Sequence, residues 1–283
     1  MDIGLLAFPS DITMDPAALA QAAEERGFES VFYPEHSHLP VDSGPWPGGP
    51  VVPEHYAHTL DLFTALGAAA AVTTTIKLGS GICLVPQHHA IWLAKQVATI
   101  DHLSGGRFVF GIGFGWNKPE LRHHDVTFAD RRERTREHIA AMKVLWSADD
   151  VVSFDGRWTT FTDCRAYPKP AQQPNPPILI AAGAGPKLRA AVAGYADGWG
   201  PIQGRNEIVA ELPALRQAWA DAGRDPAGPY LTVFGADPSP ENLDALAAAG
   251  VHRAVLGLPV APGDKIVATM DRHAPLIARY RGT

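Results

Sequence analysis

The sequence predicts a single (β/α)8 TIM barrel that spans residues 1–283 as one domain. Short apolar runs rich in β-branched and aromatic residues alternate with segments of helical period, eight times without a break. The composition, 46% hydrophobic and 19% charged, supplies enough apolar side chains for a core of that size. Such alternation is typical of a parallel sheet, and eight strand–helix units close it into a barrel. An open, doubly wound sheet is the alternative.

Each strand is predicted from a short apolar run, and each helix from apolar residues that recur every three to four positions. Glycines mark helix ends, as at Gly27 after the first helix and at Gly105 after the third. The predicted strands are residues 2–8, 30–33, 76–84, 107–112, 178–182, 198–201, 230–234 and 251–256. The predicted helices are residues 15–26, 60–72, 91–103, 131–146, 187–195, 207–222, 240–249 and 264–280.

Three segments fall outside this pattern. Residues 34–53 are rich in Gly and Pro and too long for a simple connection, which indicates a loop at the rim of the barrel or a lid. Residues 118–130 are interpreted as a second rim loop. Residues 151–163 alternate around Asp155-Gly156, which predicts a small inserted β-hairpin.

The composition excludes several classes of function. A net charge of −6 gives no reason to expect nucleic acid or an anionic membrane as a partner. No apolar run approaches the roughly 20 residues of a membrane span. The first residues lack the basic region of a secretory signal, and two cysteines are too few for a disulfide scaffold. We therefore expect a cytoplasmic protein that acts on a small molecule.

A turn that contains glycine opens the predicted fifth helix. It consists of Ala182, Gly183, Ala184, Gly185, Pro186 and Lys187. Glycines let the backbone approach a ligand closely, and the amide groups at a helix start favour an anion. The turn is interpreted either as a phosphate-binding cradle or as an ordinary tight turn between strand and helix.

Twelve histidines raise the question of a metal site. A metal-dependent barrel hydrolase needs ligands that converge from several strand ends, including the fifth, sixth and eighth. Those ends read Ala182-Gly183, Trp199-Gly200 and Gly257-Leu258, which supply no ligand. We expect no metal site, and no motif for a nucleophilic enzyme is present.

Several segments resemble the bacterial luciferase-like family of flavin and deazaflavin oxidoreductases. The most specific is residues 94–107, which read Ala-Lys-Gln-Val-Ala-Thr-Ile-Asp-His-Leu-Ser-Gly-Gly-Arg, followed by Gly-Ile-Gly-Phe-Gly-Trp-Asn at 111–117. Residues 75–79, 128–136, 167–170 and 193–199 support it. The arrangement is most similar to the branch that uses coenzyme F-420, an 8-hydroxy-5-deazaflavin, rather than FMN.

The resemblance implies that the tricyclic ring binds at the carboxyl-terminal mouth of the barrel. It implies a non-proline cis peptide bond between Gly81 and Ile82 that supports the ring, with Trp116 nearby. It favours the phosphate interpretation of the turn at residues 182–187. His36 matches a histidine beside the ring, where an imidazole can exchange a proton at neutral pH. The family also implies a homodimer.

The sequence departs from the deazaflavin dehydrogenases at three places. Glu35 stands where those enzymes have an aspartate, and Trp116 stands where they have a catalytic glutamate. A usual Arg-Asn-Pro reads His88-His89-Ala90. The mechanism of the sugar-phosphate dehydrogenases is therefore not carried over.

The leading hypothesis is an oxidoreductase that uses the deazaflavin for hydride transfer to or from a small organic substrate, with His36 handling the proton. One alternative keeps the fold and uses FMN with dioxygen as a monooxygenase. Another is a cofactor-binding protein without catalysis. Four aromatic residues are expected to line the mouth: Phe8, Trp46, Trp116 and Trp199.

Overall fold

Eight parallel strands close into a barrel in the computed structural model, which describes residues 1–205 and 207–281. The strands in chain order are β1 (Asp2–Leu6), β2 (Ser30–Tyr33), β3 (Lys77–Ser80), β4 (Phe108–Ile112), β5 (Val152–Asp155), β6 (Thr160–Cys164), β7 (Ile178–Ile180), β8 (Gly198–Trp199), β9 (Tyr230–Phe234) and β10 (Arg253–Gly257). The eight barrel strands are all of these except β5 and β6, and each pairs with the next barrel strand along the chain. β1 pairs with β10 to close the barrel. The antiparallel pair β5–β6 lies outside the barrel and confirms the predicted hairpin.

Helices follow the strands as the alternation predicts. They are α1 (Pro16–Glu25), α2 (Leu62–Val72), α3 (Ala90–Leu103), α4 (Lys118–His123), α5 (Arg131–Trp146), α6 (Pro186–Tyr195), α7 (Ile208–Asp221), α8 (Pro240–Ala248) and α9 (Gly263–Tyr280). Two short 3-10 turns, Glu54–His58 and Val85–Gln87, lie between β2 and α3. Within the described part of the chain, every helix is too short or too polar to cross a membrane.

The short helix α4 corrects the interpretation of residues 118–130 as a rim loop. Asn117 precedes the helix, and its side-chain oxygen accepts a hydrogen bond from the Glu120 amide at 3.1 Å. Pro119 stands in the first turn, where its missing N–H costs nothing. A polar cap followed by proline is therefore enough to start a helix directly after the glycine-rich residues 111–115.

Several strands are shorter than the apolar runs that predicted them. β3 ends at Ser80 rather than at residue 84, although Cys83 and Leu84 are buried. β1 ends at Leu6 and β7 at Ile180, each two residues before the predicted end. Ala7, Cys83 and Leu84 are buried although they lie beyond the ends of β1 and β3, so apolar composition alone overestimates strand length.

Two apolar clusters hold the barrel together. The smaller consists of strand residues, among them Phe32 and Phe234, whose rings meet edge to face with centroids 5.1 Å apart. The larger lies between the strands and the surrounding helices. Barrel strands present alternate residues to the two sides, so these clusters correspond to the barrel interior and to the strand–helix layer.

A buried ion pair ties the amino-terminal ends of three strands together. Arg253, only 2% exposed, donates from Nε and Nη2 to the two Glu29 carboxylate oxygens at 2.7 Å each. Lys77 lies 2.8 Å from the same carboxylate. Burial alone would raise the pKa of Glu29, but hydrogen bonding and charge from Arg253 and Lys77 outweigh it and hold that pKa at about 2.

Replacing Glu29 with Gln should lower the free energy of unfolding by about 3–5 kcal/mol, because Arg253 then stays buried without its counter-charge. Urea denaturation at neutral pH measures this loss. The depressed pKa means that the stabilisation is fully present above the ordinary glutamate pKa of 4.5 and is lost as the pH falls toward 2. The difference between wild type and variant should therefore shrink below about pH 4.5.

Asp271→Asn is the matched control, because it removes a carboxylate from the exposed pair with Arg26, 2.7 Å away. Its effect should stay below about 1 kcal/mol. Equal losses in the two variants would show that the buried pair contributes no more than a surface pair.

Candidate active site

The mouth of the barrel gathers the segments that follow the parallel strands, since their carboxyl ends meet on one face. His36 follows β2, the Gly81–Ile82 bond follows β3, and α4 follows β4. The turn at residues 182–187 follows β7, which pairs with β4. All the predicted site residues therefore lie on the same face of the barrel.

His36 forms a buried pair with Glu120. Its Nδ1 lies 2.9 Å and 3.1 Å from the two carboxylate oxygens, and the two residues are 7% and 1% exposed. A carboxylate accepts hydrogen bonds, so Nδ1 carries a proton and donates it. Nε2 is then the nitrogen that remains to exchange a proton with a ligand.

Glu120 is the functional residue that sequence reasoning missed. Trp116 at the family's glutamate position suggested that the site has no carboxylate after β4, but a carboxylate is present. The carboxylate comes instead from α4, four positions later. The cap at Asn117 was the available signal, because it starts the helix that presents Glu120.

Aromatic rings surround His36. The Trp116 ring meets the imidazole edge to face, with ring centroids 5.8 Å apart. The Tyr56 ring is tilted against the same imidazole, with centroids 5.1 Å apart. Tyr56 in turn contacts Phe8 at 5.2 Å and Trp46 at 5.4 Å. These rings give the imidazole an apolar surrounding, and Tyr56 is a further residue that the sequence did not single out.

Trp199 does not line the mouth, contrary to expectation. It is fully buried, and its Nε1 donates to the Ala182 carbonyl at 3.0 Å. Trp199 ends β8, and its side chain packs in the larger apolar cluster. Trp199 thus supports the turn at residues 182–187 from within.

The Gly81–Ile82 peptide bond is cis, as the resemblance implies. The Ile82 side chain reaches Gly113, where an added Cβ would lie 2.0 Å from Ile82 Cδ1. A side chain at position 113 would therefore displace the end of the Ile82 side chain from this position at the mouth.

The turn at residues 182–187 is open around Gly185. Gly185 has φ +129°, a conformation that favours glycine, and an added Cβ there would meet no neighbouring atom. Its amide donates to Glu211 Oε1 at 3.2 Å, and Arg189 donates to the same oxygen at 2.6 Å. Gly183, Ala184, Pro186 and Lys187 are exposed. The start of α6 can receive an anion, with Glu211 already present as a nearby negative charge.

A second histidine–carboxylate pair lies behind the first. Glu35 accepts from the Leu84 amide at 2.6 Å and lies 2.9 Å from His88 Nε2. Burial alone would lower the pKa of His88, but the Glu35 charge outweighs it and raises that pKa. Burial and the same carboxylate raise the pKa of the Cys83 thiol. The departures at Glu35 and His88 therefore meet each other in space.

A cavity of about 250 Å³ connects the two pairs. It is lined by Glu35, His36, Ser37, Thr59, Asp61, Leu62, Gln87, His88 and His124. Eight of these nine residues are polar, so the cavity suits a hydrated ion or a polar ligand.

The loop after β2 is fastened to α4 by further histidines. Ser37 Oγ lies 2.7 Å from His124 Nε2, and His38 Nε2 lies 2.8 Å from His123 Nδ1. Three consecutive residues, beginning with His36, thus contact α4 or the residue that ends it. These contacts fix the helix that presents Glu120.

The profile of the luciferase-like monooxygenase family matches residues 15–280. The chain belongs to this family.

It is 38% identical to an uncharacterized protein of Mycobacterium tuberculosis, over 98% of this chain and 99% of that protein. It is also 31% identical to the F420-dependent hydroxymycolic acid dehydrogenase of the same organism, over 74% of this chain. A third relative, the pyrimidine monooxygenase RutA of Klebsiella pneumoniae, is 33% identical over 68% of this chain. The aligned parts cover 54% of each of these last two proteins.

Solved structures share the barrel. The monooxygenase RslO1 from Streptomyces bottropensis aligns with a TM-score of 0.79 and 20% identity, over 99% of both chains. An F420-dependent secondary alcohol dehydrogenase aligns with a TM-score of 0.67 and 20% identity, over 97% of this chain and 90% of its own. At these identities the likeness concerns the fold. One of the relatives above is named as F420-dependent, and a further solved structure with the same fold, at a TM-score of 0.66 and 18% identity, was determined in complex with FMN.

Replacing Glu120 with Ala should lower the free energy of unfolding by about 1–3 kcal/mol, because a buried imidazole N–H then has no acceptor. A double-mutant cycle with His36→Ala isolates the pair. We expect a coupling free energy of about 0.5–3 kcal/mol from chemical denaturation.

The exposed Glu133, which pairs with Arg136 at 3.0 Å, provides the control. Glu133→Ala should change the unfolding free energy by less than about 0.5 kcal/mol. Strict additivity of the His36 and Glu120 substitutions would contradict a direct interaction between them.

Proposed function

We propose that this protein is an oxidoreductase that transfers a hydride between coenzyme F-420 and a small organic substrate. The observation that carries the proposal is the buried His36–Glu120 pair at the mouth of a luciferase-like barrel. A hydride transfer to or from an alcohol or carbonyl needs a partner that exchanges one proton at the same time. His36 is held in one orientation and has Nε2 available for that exchange.

The residues at the mouth fit a phosphorylated planar cofactor. Gly185 leaves open space at the start of α6, where amide groups favour a phosphate. Gly81, Ile82 and Trp116 would hold the ring, and residues 182–187, from Ala182 to Lys187, would hold the phosphate. When bound, a deazaflavin supplies or accepts the hydride, which carries two electrons.

The protein's own residues supply orientation and proton handling. Glu120 keeps the proton on Nδ1 of His36, so that Nε2 takes a proton from a substrate hydroxyl or, after gaining one, returns it to a carbonyl oxygen. Tyr56, Trp46 and Trp116 limit the access of water to the imidazole. This arrangement suits a small secondary alcohol or the matching ketone.

Support for F-420 over FMN comes from the resemblance of the sequence and from the relative named as an F420-dependent dehydrogenase. The relative named as a pyrimidine monooxygenase, together with a solved structure of the same fold in complex with FMN, supports an FMN-dependent monooxygenase as the second candidate. We also propose a cytoplasmic homodimer that acts on a small molecule without nucleic-acid or membrane partners, a proposal supported by the family resemblance and the net charge.

Titration of the purified protein with coenzyme F-420 and, separately, with FMN tests the cofactor. We expect saturable binding of F-420 and turnover with a panel of secondary alcohols, ketones and enones, followed at the visible band of the deazaflavin. His36→Ala should bind the cofactor within a few-fold of wild type and lose about 10²–10⁴-fold in turnover. Tight FMN binding with no response to F-420 would overturn the proposal, and cofactor binding with equal turnover in both proteins would remove His36 from the reaction.

Glu211→Gln tests the position of the phosphate. Removing the negative charge beside the Gly185 amide should strengthen cofactor binding by about two- to five-fold, the effect of 0.3–1 kcal/mol at a helix start. Glu241→Gln removes the same charge from the first turn of α8 and should leave affinity unchanged. No change in the Glu211 variant would place the phosphate elsewhere.

A further inference from the structure

Three side chains of different chemistry converge behind the first histidine pair. Glu35 follows β2, Cys83 follows β3, and His88 follows the 3-10 turn Val85–Gln87. A carboxylate oxygen, the thiol sulfur and an imidazole nitrogen all lie within 4.8 Å of one another. Among the residues that the structure describes, these His, Cys and Glu side chains come close enough together to hold one metal ion.

We propose that Glu35, Cys83 and His88 bind one Zn²⁺ ion per chain. Zinc is held in proteins by thiolate, imidazole and carboxylate ligands at about 2.0–2.3 Å. Harder ions such as Mg²⁺ and Ca²⁺ select oxygen ligands, so a set with sulfur and nitrogen disfavours them.

The ligands are already oriented toward a common point. His88 Nε2 and Glu35 Oε1 are 2.9 Å apart, so a shift of a few tenths of an ångström opens them to the spacing of two ligands on one ion. The Leu84 amide holds the other Glu35 oxygen at 2.6 Å, and the Phe63 ring packs edge to face against His88 with centroids 6.1 Å apart. Outer contacts of this kind fix ligand orientation in metal sites.

Charge balance also favours a divalent ion. On binding, the S–H bond of Cys83 breaks, its proton leaves to solvent, and the sulfur binds the metal as thiolate. One thiolate and one carboxylate then neutralise the two positive charges, with His88 as a neutral ligand. A neutral cluster avoids the large cost of placing an uncompensated charge in the protein interior.

A fourth ligand could reach the ion from the cavity. Glu35 and His88 lie in the wall of the 250 Å³ cavity, together with Asp61 and Gln87. Gln87 Nε2 is buried and has no hydrogen-bond partner within the described residues. A water on the metal would accept a hydrogen bond from this amide. Three protein ligands with one open position is the pattern of a reactive rather than a purely structural zinc.

This group differs from the strand ends that led us to expect no metal. Those were the ends of the fifth, sixth and eighth barrel strands, whereas Glu35 and Cys83 follow the second and third. His88 replaces a residue of the family's usual Arg-Asn-Pro, so the proposed site belongs to this sequence rather than to the family pattern.

Metal content tests the proposal on the full chain without cofactor, so its outcome does not depend on the proposed function. The protein is stripped with a chelator, incubated with Zn²⁺, desalted and measured by inductively coupled plasma mass spectrometry. We expect one Zn²⁺ per wild-type chain and at least a 100-fold weaker affinity in Cys83→Ser and in His88→Gln. Cys164→Ser, which changes the partly exposed cysteine, should retain one ion.

The exposed histidines at the rim could take up zinc independently, so His123→Ala serves as a second control. Loss of the ion in His123→Ala with retention in Cys83→Ser would overturn the proposal, and so would wild-type protein that holds no zinc. Circular dichroism checks that each variant is folded. Replacing Zn²⁺ with Co²⁺ in the wild-type protein gives a readout that needs no variant. A thiolate ligand on Co²⁺ produces an intense near-ultraviolet charge-transfer band. A Co²⁺ complex without that band would exclude Cys83 as a ligand.

Discussion

The contact between His36 and Glu120 joins the parts of the molecule on which the site depends. It connects the end of β2 to α4 and fixes both side chains in a region that water hardly reaches. A buried imidazole and a buried carboxylate are each costly alone, and each satisfies the other here. The length of β2, the cap that starts α4 and the aromatic rings around His36 all serve to bring these two groups together.

The fold was predictable because it rests on periodic patterns. Strand–helix alternation predicted the barrel, and the alternation around Asp155-Gly156 predicted the hairpin. The family resemblance pointed to His36 and to the cis bond at Gly81–Ile82. Glu120 was not predictable in the same way, because its partner lies 84 residues away and the linking helix has six residues. Trp199 was misplaced because its position at the end of a strand does not decide whether the side chain points to the mouth or, as here, into the larger apolar cluster.

Charge is distributed in a consistent way around the mouth. Two histidines on the β2 side each face a carboxylate, since His36 faces Glu120 and His88 faces Glu35. On the β7 side Glu211 lies at the start of α6, where a phosphate is proposed to bind. The two sides therefore differ in the ligands that they suit. The β2 side suits proton exchange or a cation, and the start of α6 suits an anion.

The protonation pattern of the His36 ring tests the account most directly. Nitrogen-15 NMR of the protein with labelled histidine reports which ring nitrogen carries a proton and how fast that proton exchanges with water. We expect a His36 Nδ1–H resonance that is shifted far downfield and exchanges slowly, because Glu120 accepts the hydrogen bond in a buried site. A neutral ring protonated at Nε2, or an Nδ1–H that exchanges as fast as that of an exposed histidine, would contradict it.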